Sequence, residues 1–235
     1  MQAKKVVMIS GVTGGIGCAA ARALLDAGWQ VSMGSRNLVR AIELIPASAA
    51  ALHVVYDATD RSAASAWVNQ TMAAFGRIDA IVNSAGMLLP YEIEHDDAAE
   101  ENLDRMWEVN VKAPLRLIRA AHASLVAAGA AHVINVASLA GVRPGNTSLG
   151  YSITKAALIS LTQIMRTKYW DQGIRSTALC PGAVDTTMIA AIKGQLRHAP
   201  SDPGDIAAAI VFLLSLSPSA SVALLAVNSR PDALW

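Results

Sequence analysis

The chain has 235 residues, 53% of them hydrophobic, and a formal net charge of +1. That length can bury a sizeable core, and the near-neutral balance gives no bulk attraction to nucleic acid or to an anionic membrane surface. The two cysteines, Cys18 and Cys180, form no CxxC pair and have no histidine beside them; a disulfide framework or metal site is not expected, and a reducing, cytoplasmic compartment is the default.

In chain order, the first apolar run, KVVMIS, follows directly on the lysines and reaches glycine at once, so it reads as a strand and not as a signal peptide. The helical stretch GIGCAAARALLDAG comes next, followed by the strand WQVSMGS and the strand ALHVVYD. A second helical stretch, ASAWVNQTMAAFG, leads into IDAIVNSA, and later come AHVINVAS, IRSTALCP and VALLAVN. Gly28 and Gly76 suit the residue after a helix C-terminus. Two stretches without Asp, Glu, Lys or Arg, 120–142 and 206–229, are long enough to cross a membrane. Each is interrupted by polar or turn residues that are costly in hydrocarbon, and each reads better as helix, turn and buried strand. Strands this apolar, separated by helices, imply a parallel sheet covered on both faces. With no composition shift or repeat, the expectation is one doubly wound α/β domain of Rossmann type over residues 1–235, with ligands at the carboxyl ends of the strands.

The first strand runs into SGVTGGIG, with Gly11, Gly14, Gly15 and Gly17. Glycines allow a tight turn and close backbone approach, and the new helix offers unpaired N–H groups to a diphosphate. A tight strand-to-helix turn without ligand is the other reading. Thr13 and Ile16 complete the expected cofactor loop. After the second strand stands GSRN, with no acid until Glu43. A fold that prefers NAD commonly carries an acid there; Ser35, Arg36 and Asn37 instead leave room and a planar cation for a 2′-phosphate, which favours NADP(H) over NAD(H). A solvated loop arginine is the alternative for Arg36. Asp57, with Ala58 after it, is either an acceptor for the adenine amino group or a helix N-cap. In NSAG, small residues such as Ala85 and Gly86 let a cofactor lie against the backbone. Asn83 either ties strands together or ends a plain turn.

Ser138 ends the fifth strand, and Tyr151 and Lys155 follow at i and i+4, on one helix face. A free tyrosine titrates near ~10, and a neighbouring ammonium, helped by an oxidised nicotinamide, should favour the phenolate. Tyr151 would then exchange a proton with an alcohol or carbonyl as hydride moves, and Ser138 would stabilise charge on the substrate oxygen. Alone, YxxxK is as readily an exposed helix pair; its order after the glycine loop and the strand-end serine is what changes the odds.

Over nearly its full length, through SGVTGGIG, NSAG, WEVNVKAP, NVAS, YSITK and PGAVDT, the chain resembles the short-chain dehydrogenase/reductase family. The resemblance implies a catalytic tetrad of Asn110, Ser138, Tyr151 and Lys155, with the asparagine disturbing a helix and holding a water that links the lysine to solvent. It further implies that Pro181, Gly182, Val184 and Thr186 cover the nicotinamide, and that the protein is a homotetramer or homodimer acting on a small-molecule alcohol or carbonyl. Ser10 and Ser84 replace a usual threonine and asparagine, and VALLAVNSRPDALW lacks the glycine-rich segment of many members. The substrate walls would be 140–143, 87–91 and 188–198, the last short enough to leave an open pocket, with Arg143 either meeting an anionic group or facing solvent. A cofactor-binding scaffold without chemistry is the alternative function, disfavoured because all four tetrad positions match; an epimerase would need a larger C-terminal region. His95 reads as part of a solvated acidic loop, His122 and His132 as packing or capping residues, Cys180 as core, Met106 and Trp107 as helix packing, and Arg116 and Arg119 as a solvated or subunit-facing edge.

Overall fold

The computed structural model describes residues 4–94, 100–144, 149–190, 193–196 and 198–229. Its seven strands are β1 (Val6–Ser10), β2 (Gln30–Ser35), β3 (Ala51–Val55), β4 (Ala80–Asn83), β5 (Ala131–Val136), β6 (Ile174–Pro181) and β7 (Leu224–Val227). They form one sheet in the order β3-β2-β1-β4-β5-β6-β7, with every pairing parallel. Each apolar run read from the sequence is a strand here. β1, β4 and β5 are buried along their whole length, whereas the edge strands β3 and β7 are partly open. This is why central runs lack polar alternation: helices cover both of their faces.

α1 (Gly15–Asp26), α2 (Leu38–Leu44) and α8 (Pro203–Ser215) lie around one core, in which Leu24 and Ile210 meet Val7, Ile9 and Val31. On the other face, α3 (Ala63–Phe75), α5 (Ala113–Ala128) and α7 (Leu149–Lys168) bury Trp67, Leu117 and Met165 against Met8, Ile81 and Val133. α4 (Glu100–Trp107) runs into α5 through a π-helical segment, Glu108–Lys112, and α6 (Leu139–Val142) precedes α7. Gly76 ends α3 at φ +73°, and Gly28 follows α1 at φ +85°. The two charge-free stretches resolve into α5 with β5 and α8 with β7; among the described residues no helix is long and apolar enough to cross a membrane.

A buried polar ladder fixes α7 to the sheet. Asn83 Nδ2 donates to Asn135 Oδ1 at 2.8 Å, Asn135 Nδ2 to Thr162 Oγ1 at 2.8 Å, and Thr162 Oγ1 to the Leu158 carbonyl at 2.7 Å. Because every group in it has a partner, the ladder sets the register of α7, which carries Tyr151 and Lys155, without the penalty of an orphaned polar atom.

Candidate active site

Strand order reverses between β1 and β4, and a cavity of about 640 Å³ opens at the carboxyl ends there. Its floor is the β1–α1 loop, with Gly11, Thr13, Gly14, Gly15, Ile16 and Gly17 all lining it. Gly11 sits at φ +78°, and a methyl there would lie 2.8 Å from the Ala85 nitrogen. A methyl on Gly17 would run into the Gly11 carbonyl, 2.9 Å from its carbon. The helix can therefore begin this close to the loop only with glycine at both places. Ser10 keeps the loop in register with β4: its Oγ accepts from the Ser84 and Ala85 N–H groups, both at 3.1 Å. α1 starts at Gly14 with no capping side chain and no acid in its first turn, and nothing lies within 4 Å of a methyl placed on Gly14. Free amides facing open space suit a diphosphate.

Ser35, Arg36 and Asn37 line one end of the cavity, with Asp57 and Ala58 beside them from the next strand. Arg36 is exposed, and the Ser35 hydroxyl donates to the Asn37 carbonyl at 3.2 Å. The Asn37 side chain caps α2 by accepting from Arg40 N–H. Asp57 is no helix cap: it accepts from Thr59 N–H and Oγ1 at 2.8 and 2.7 Å, bonds that hold its carboxyl below the usual range with further help from Arg36. Ala85, Gly86 and Thr186 line the other end. Asn83 does not, since its side chain is spent in the ladder between β4 and β5. Pro181, Gly182 and Val184 also stand back from the cavity. Pro181 pairs with Val227, Gly182 N–H donates to the Val227 carbonyl, and Val184 is packed into the core beside a bridge to Ser201.

The tetrad residues lie just past Gly86. A methyl on Gly86 would sit 3.5 Å from Asn110 Oδ1 and 3.5 Å from Lys155 Nζ. Asn110 lies in the π segment, which turns its side chain onto the β4 loop: Nδ2 donates to the Met87 carbonyl at 2.8 Å and to Thr154 Oγ1 at 3.0 Å, and Oδ1 accepts from Met87 N–H. Ser138 caps α6 through Ala140 N–H and hydrogen-bonds Tyr151. Lys155 Nζ donates to the Val136 carbonyl at 2.8 Å and lies 5.6 Å from the centre of the Tyr151 ring.

In the chain's own surroundings Tyr151 is not made acidic. Burial pushes its phenol up to about 12, and the Ser138 hydrogen bond only partly opposes that. Burial likewise pushes Lys155 down to about 8. In this enclosed corner loss of water outweighs the Ser138 bond, which favours the acid form of the phenol.

Beside the tetrad, Met87, Leu89 and Tyr91 pack with Met106, Ala140 and Tyr151 into an apolar cluster. Part of the expected walls, 191, 192 and 197, lies outside the described residues, as does His95. Cys180 is fully buried in the core, and His132 is buried with its ring on Thr177 Oγ1. The cavity also takes in Met188, from the expected wall, and Tyr56, Thr59, Arg105 and Val109, which no motif in the sequence marks. Arg105 and Val109 stand four apart just before Asn110, a spacing that places both on one helix face. Arg116 and Arg119 read from the sequence as a solvated or subunit-facing edge. Arg119 is exposed, but Arg116 is 16% exposed and bound to Glu108.

Residues 5–196 match the model of the short chain dehydrogenase family. The chain belongs to the short-chain dehydrogenase/reductase family. Agropine synthesis reductase of Rhizobium rhizogenes, a relative in curated collections, is 35% identical over 203 residues, which cover 86% of this chain but 47% of that protein. The chain thus spans about half the length of that relative. An uncharacterized oxidoreductase of Staphylococcus saprophyticus is 33% identical over 215 residues, 89% of this chain and 91% of its own. Among solved structures, 3-ketoacyl-(acyl-carrier-protein) reductase from Brucella melitensis, complexed with NADH, superposes with a TM-score of 0.87 at 26% identity, covering 97% of this chain and 98% of that one. A short-chain dehydrogenase from Streptomyces avermitilis gives 0.85 at 27% identity, over 96% and 89%. The family's doubly wound sheet is the one described above.

Proposed function

We propose that this chain is an NADP(H)-dependent oxidoreductase interconverting an alcohol and a ketone or aldehyde, with residues 1–235 as one dinucleotide-binding domain. The observation that carries the reading is the junction at Gly86, where a cavity floored by free helix amides meets Asn110 and Lys155 within contact distance. The residues present suit a nicotinamide dinucleotide. Gly14, Gly15 and Gly17 would take the diphosphate at the start of α1, and Gly86 and Thr186 would flank the nicotinamide end. Bound there, the nicotinamide supplies or accepts the hydride.

The chain's own residues handle the proton. Ser138 holds the substrate oxygen and stabilises its developing charge. Tyr151, held in its acid form, donates to a carbonyl oxygen in the reductive direction and takes the proton back in the oxidative one. Lys155 is anchored on Val136 and would steady the ribose side, and Asn110 fixes the Met87 loop that borders both. The substrate would lie on the apolar cluster of Met87, Leu89 and Ala140.

For cofactor choice, Asp57 is the one carboxylate among the described lining residues, and its Oδ1 is taken by Thr59. Arg36 stands exposed at the end of β2, where a 2′-phosphate would come. The Brucella relative was solved with NADH; the preference proposed here rests on Arg36 and on the absence of an acid at the end of β2. Two free, buried cysteines fit a reducing, cytoplasmic setting, and exposed aliphatic side chains on α5 and α7 fit a homodimer or homotetramer.

The test is oxidation of NADPH and NADH over a panel of ketones, aldehydes and β-keto esters, with Tyr151→Phe as control. Loss of general acid catalysis should cost the variant about 10²- to 10⁴-fold in kcat. Full turnover by Tyr151→Phe would sink the mechanism, and tight NADPH binding without turnover of any substrate would favour a scaffold.

A further inference from the structure

Arg116 joins two parts of the cavity that are far apart in sequence. It sits on α5, and both of its terminal nitrogens reach Glu108 Oε1, Nη1 at 2.6 Å. Nη2 also donates to the carbonyl of Ala58 at 3.4 Å. Ala58 belongs to the wall after β3, where Tyr56, Asp57 and Thr59 also line the cavity. Glu108 opens the π segment, one residue before Val109, which lines the opposite side, and two before Asn110. One guanidinium thus spans from the β3 wall to the base of the Val109 wall. Its charge is felt on that loop: burial raises the Tyr56 phenol and Arg116 partly offsets this, and Arg116 adds a little to the Ser62 hydrogen bonds that lower the Asp60 carboxyl.

We propose that Arg116 is a positioning residue that sets the width of the adenosine-side slot between Ala58 and Val109 and keeps that slot in register with the Asn110 turn. The proposal rests on the reading that this cavity takes a dinucleotide. A planar fork is needed to serve Glu108 and a backbone carbonyl together, and an ammonium cannot match that geometry. Without Arg116, Glu108 keeps Lys112 as a partner at 3.2 Å, so the π segment retains a charge pair and the fold should survive.

The experiment compares wild type, Arg116→Gln, Arg116→Lys, Glu108→Gln and the double variant Arg116→Gln/Glu108→Gln. Each is titrated with NADPH, adenosine 2′,5′-bisphosphate and nicotinamide mononucleotide, and kcat is measured at saturating NADPH. Arg116→Gln should weaken NADPH and the adenosine bisphosphate by about 5- to 20-fold, the range of one networked contact. Nicotinamide mononucleotide affinity and saturated kcat should stay within about twofold. Arg116→Lys should recover part of the loss, and the double variant should lose no more than Arg116→Gln alone, because the two residues act as one unit. Equal binding by wild type and Arg116→Gln would overturn the proposal while leaving the cavity reading intact, as would a loss in kcat with binding unchanged. If Arg116→Gln does not fold, wild-type NADPH affinity in Arg116→Lys would overturn it equally, because an ammonium cannot serve Glu108 and the Ala58 carbonyl together. Binding of neither NADPH nor NADH by wild type would remove the cavity reading and this proposal with it.

Discussion

Lys155 is an ammonium with almost no water: 4% exposed, with one hydrogen bond, to Val136, and with the Cys180 thiol and the Tyr151 ring as neighbours. Its folded pKa is lowered to about 8 from 10.5. The unfolded chain therefore binds more protons than the fold between those values, and stability contributed by this group rises as pH rises through that window. Cys180 and Tyr151, both raised to about 12, act the other way, keeping protons that the unfolded chain releases above pH 9 and 10. Between pH 7.5 and 9 wild type should gain about 1 kcal/mol relative to Lys155→Met in urea unfolding. A constant difference across that range would show that Lys155 titrates normally. Arg36 is the residue-scale test of cofactor choice. A hydrogen bond to a charged phosphate is worth about 1.5–3 kcal/mol, so Arg36→Ala should weaken NADPH binding by about 10- to 100-fold and leave NADH nearly unchanged. Equal losses for the two cofactors would refute the 2′-phosphate role.

At the scale of elements, α7 is placed by its ladder as much as by its apolar face. Thr162→Val keeps the shape but leaves Asn135 Nδ2 without an acceptor in a fully buried site. The cost should be about 1–3 kcal/mol in unfolding free energy, the desolvation penalty of one orphaned donor. Unchanged stability would mean that the ladder does not hold the helix. These same elements show which features local sequence carries. β1, β4 and β5 were legible because strands buried on both faces read as uninterrupted apolar runs, and the glycine loop because close packing at Gly11 and Gly17 excludes other side chains. Partner choice among polar side chains was not legible. The strand-tying reading of Asn83 holds, but nothing local names Asn135 as its partner, tells that Asn37 is used as a cap, or shows that Arg116 reaches Ala58, 58 residues away. How far burial raises the Tyr151 phenol was not legible for the same reason: the water lost around it depends on what folds over it, not on the spacing of YSITK.

For the molecule as a whole, both sheet faces leave aliphatic or aromatic side chains in water, Val39, Ile42 and Phe212 on the side of α2 and α8 among them. The face carrying α3, α5 and α7 presents Leu115 and Val126 on α5, 43% and 36% exposed, and Ile153 and Ile164 on α7, 44% and 57% exposed. Each pair is eleven residues apart, close to three full turns, so each forms a stripe along one side of its helix. Aliphatic stripes left in water on neighbouring helices are costly for a monomer and are the usual mark of a surface that another subunit covers. A second copy is the partner proposed here, since the same stripes on both copies can meet across a twofold axis. Ile164→Glu places a charge at the most exposed of these positions. Light scattering after size exclusion should give wild type at twice or four times the 24.5 kDa chain mass, and the variant should shift toward a single chain mass at equal concentration. Turnover should fall with dissociation only if the contact also steadies α7, because Tyr151 and Lys155 ride on the same helix as Ile153 and Ile164. A wild type that runs as a single chain at micromolar concentration would sink the subunit reading, leaving the stripes as bare surface.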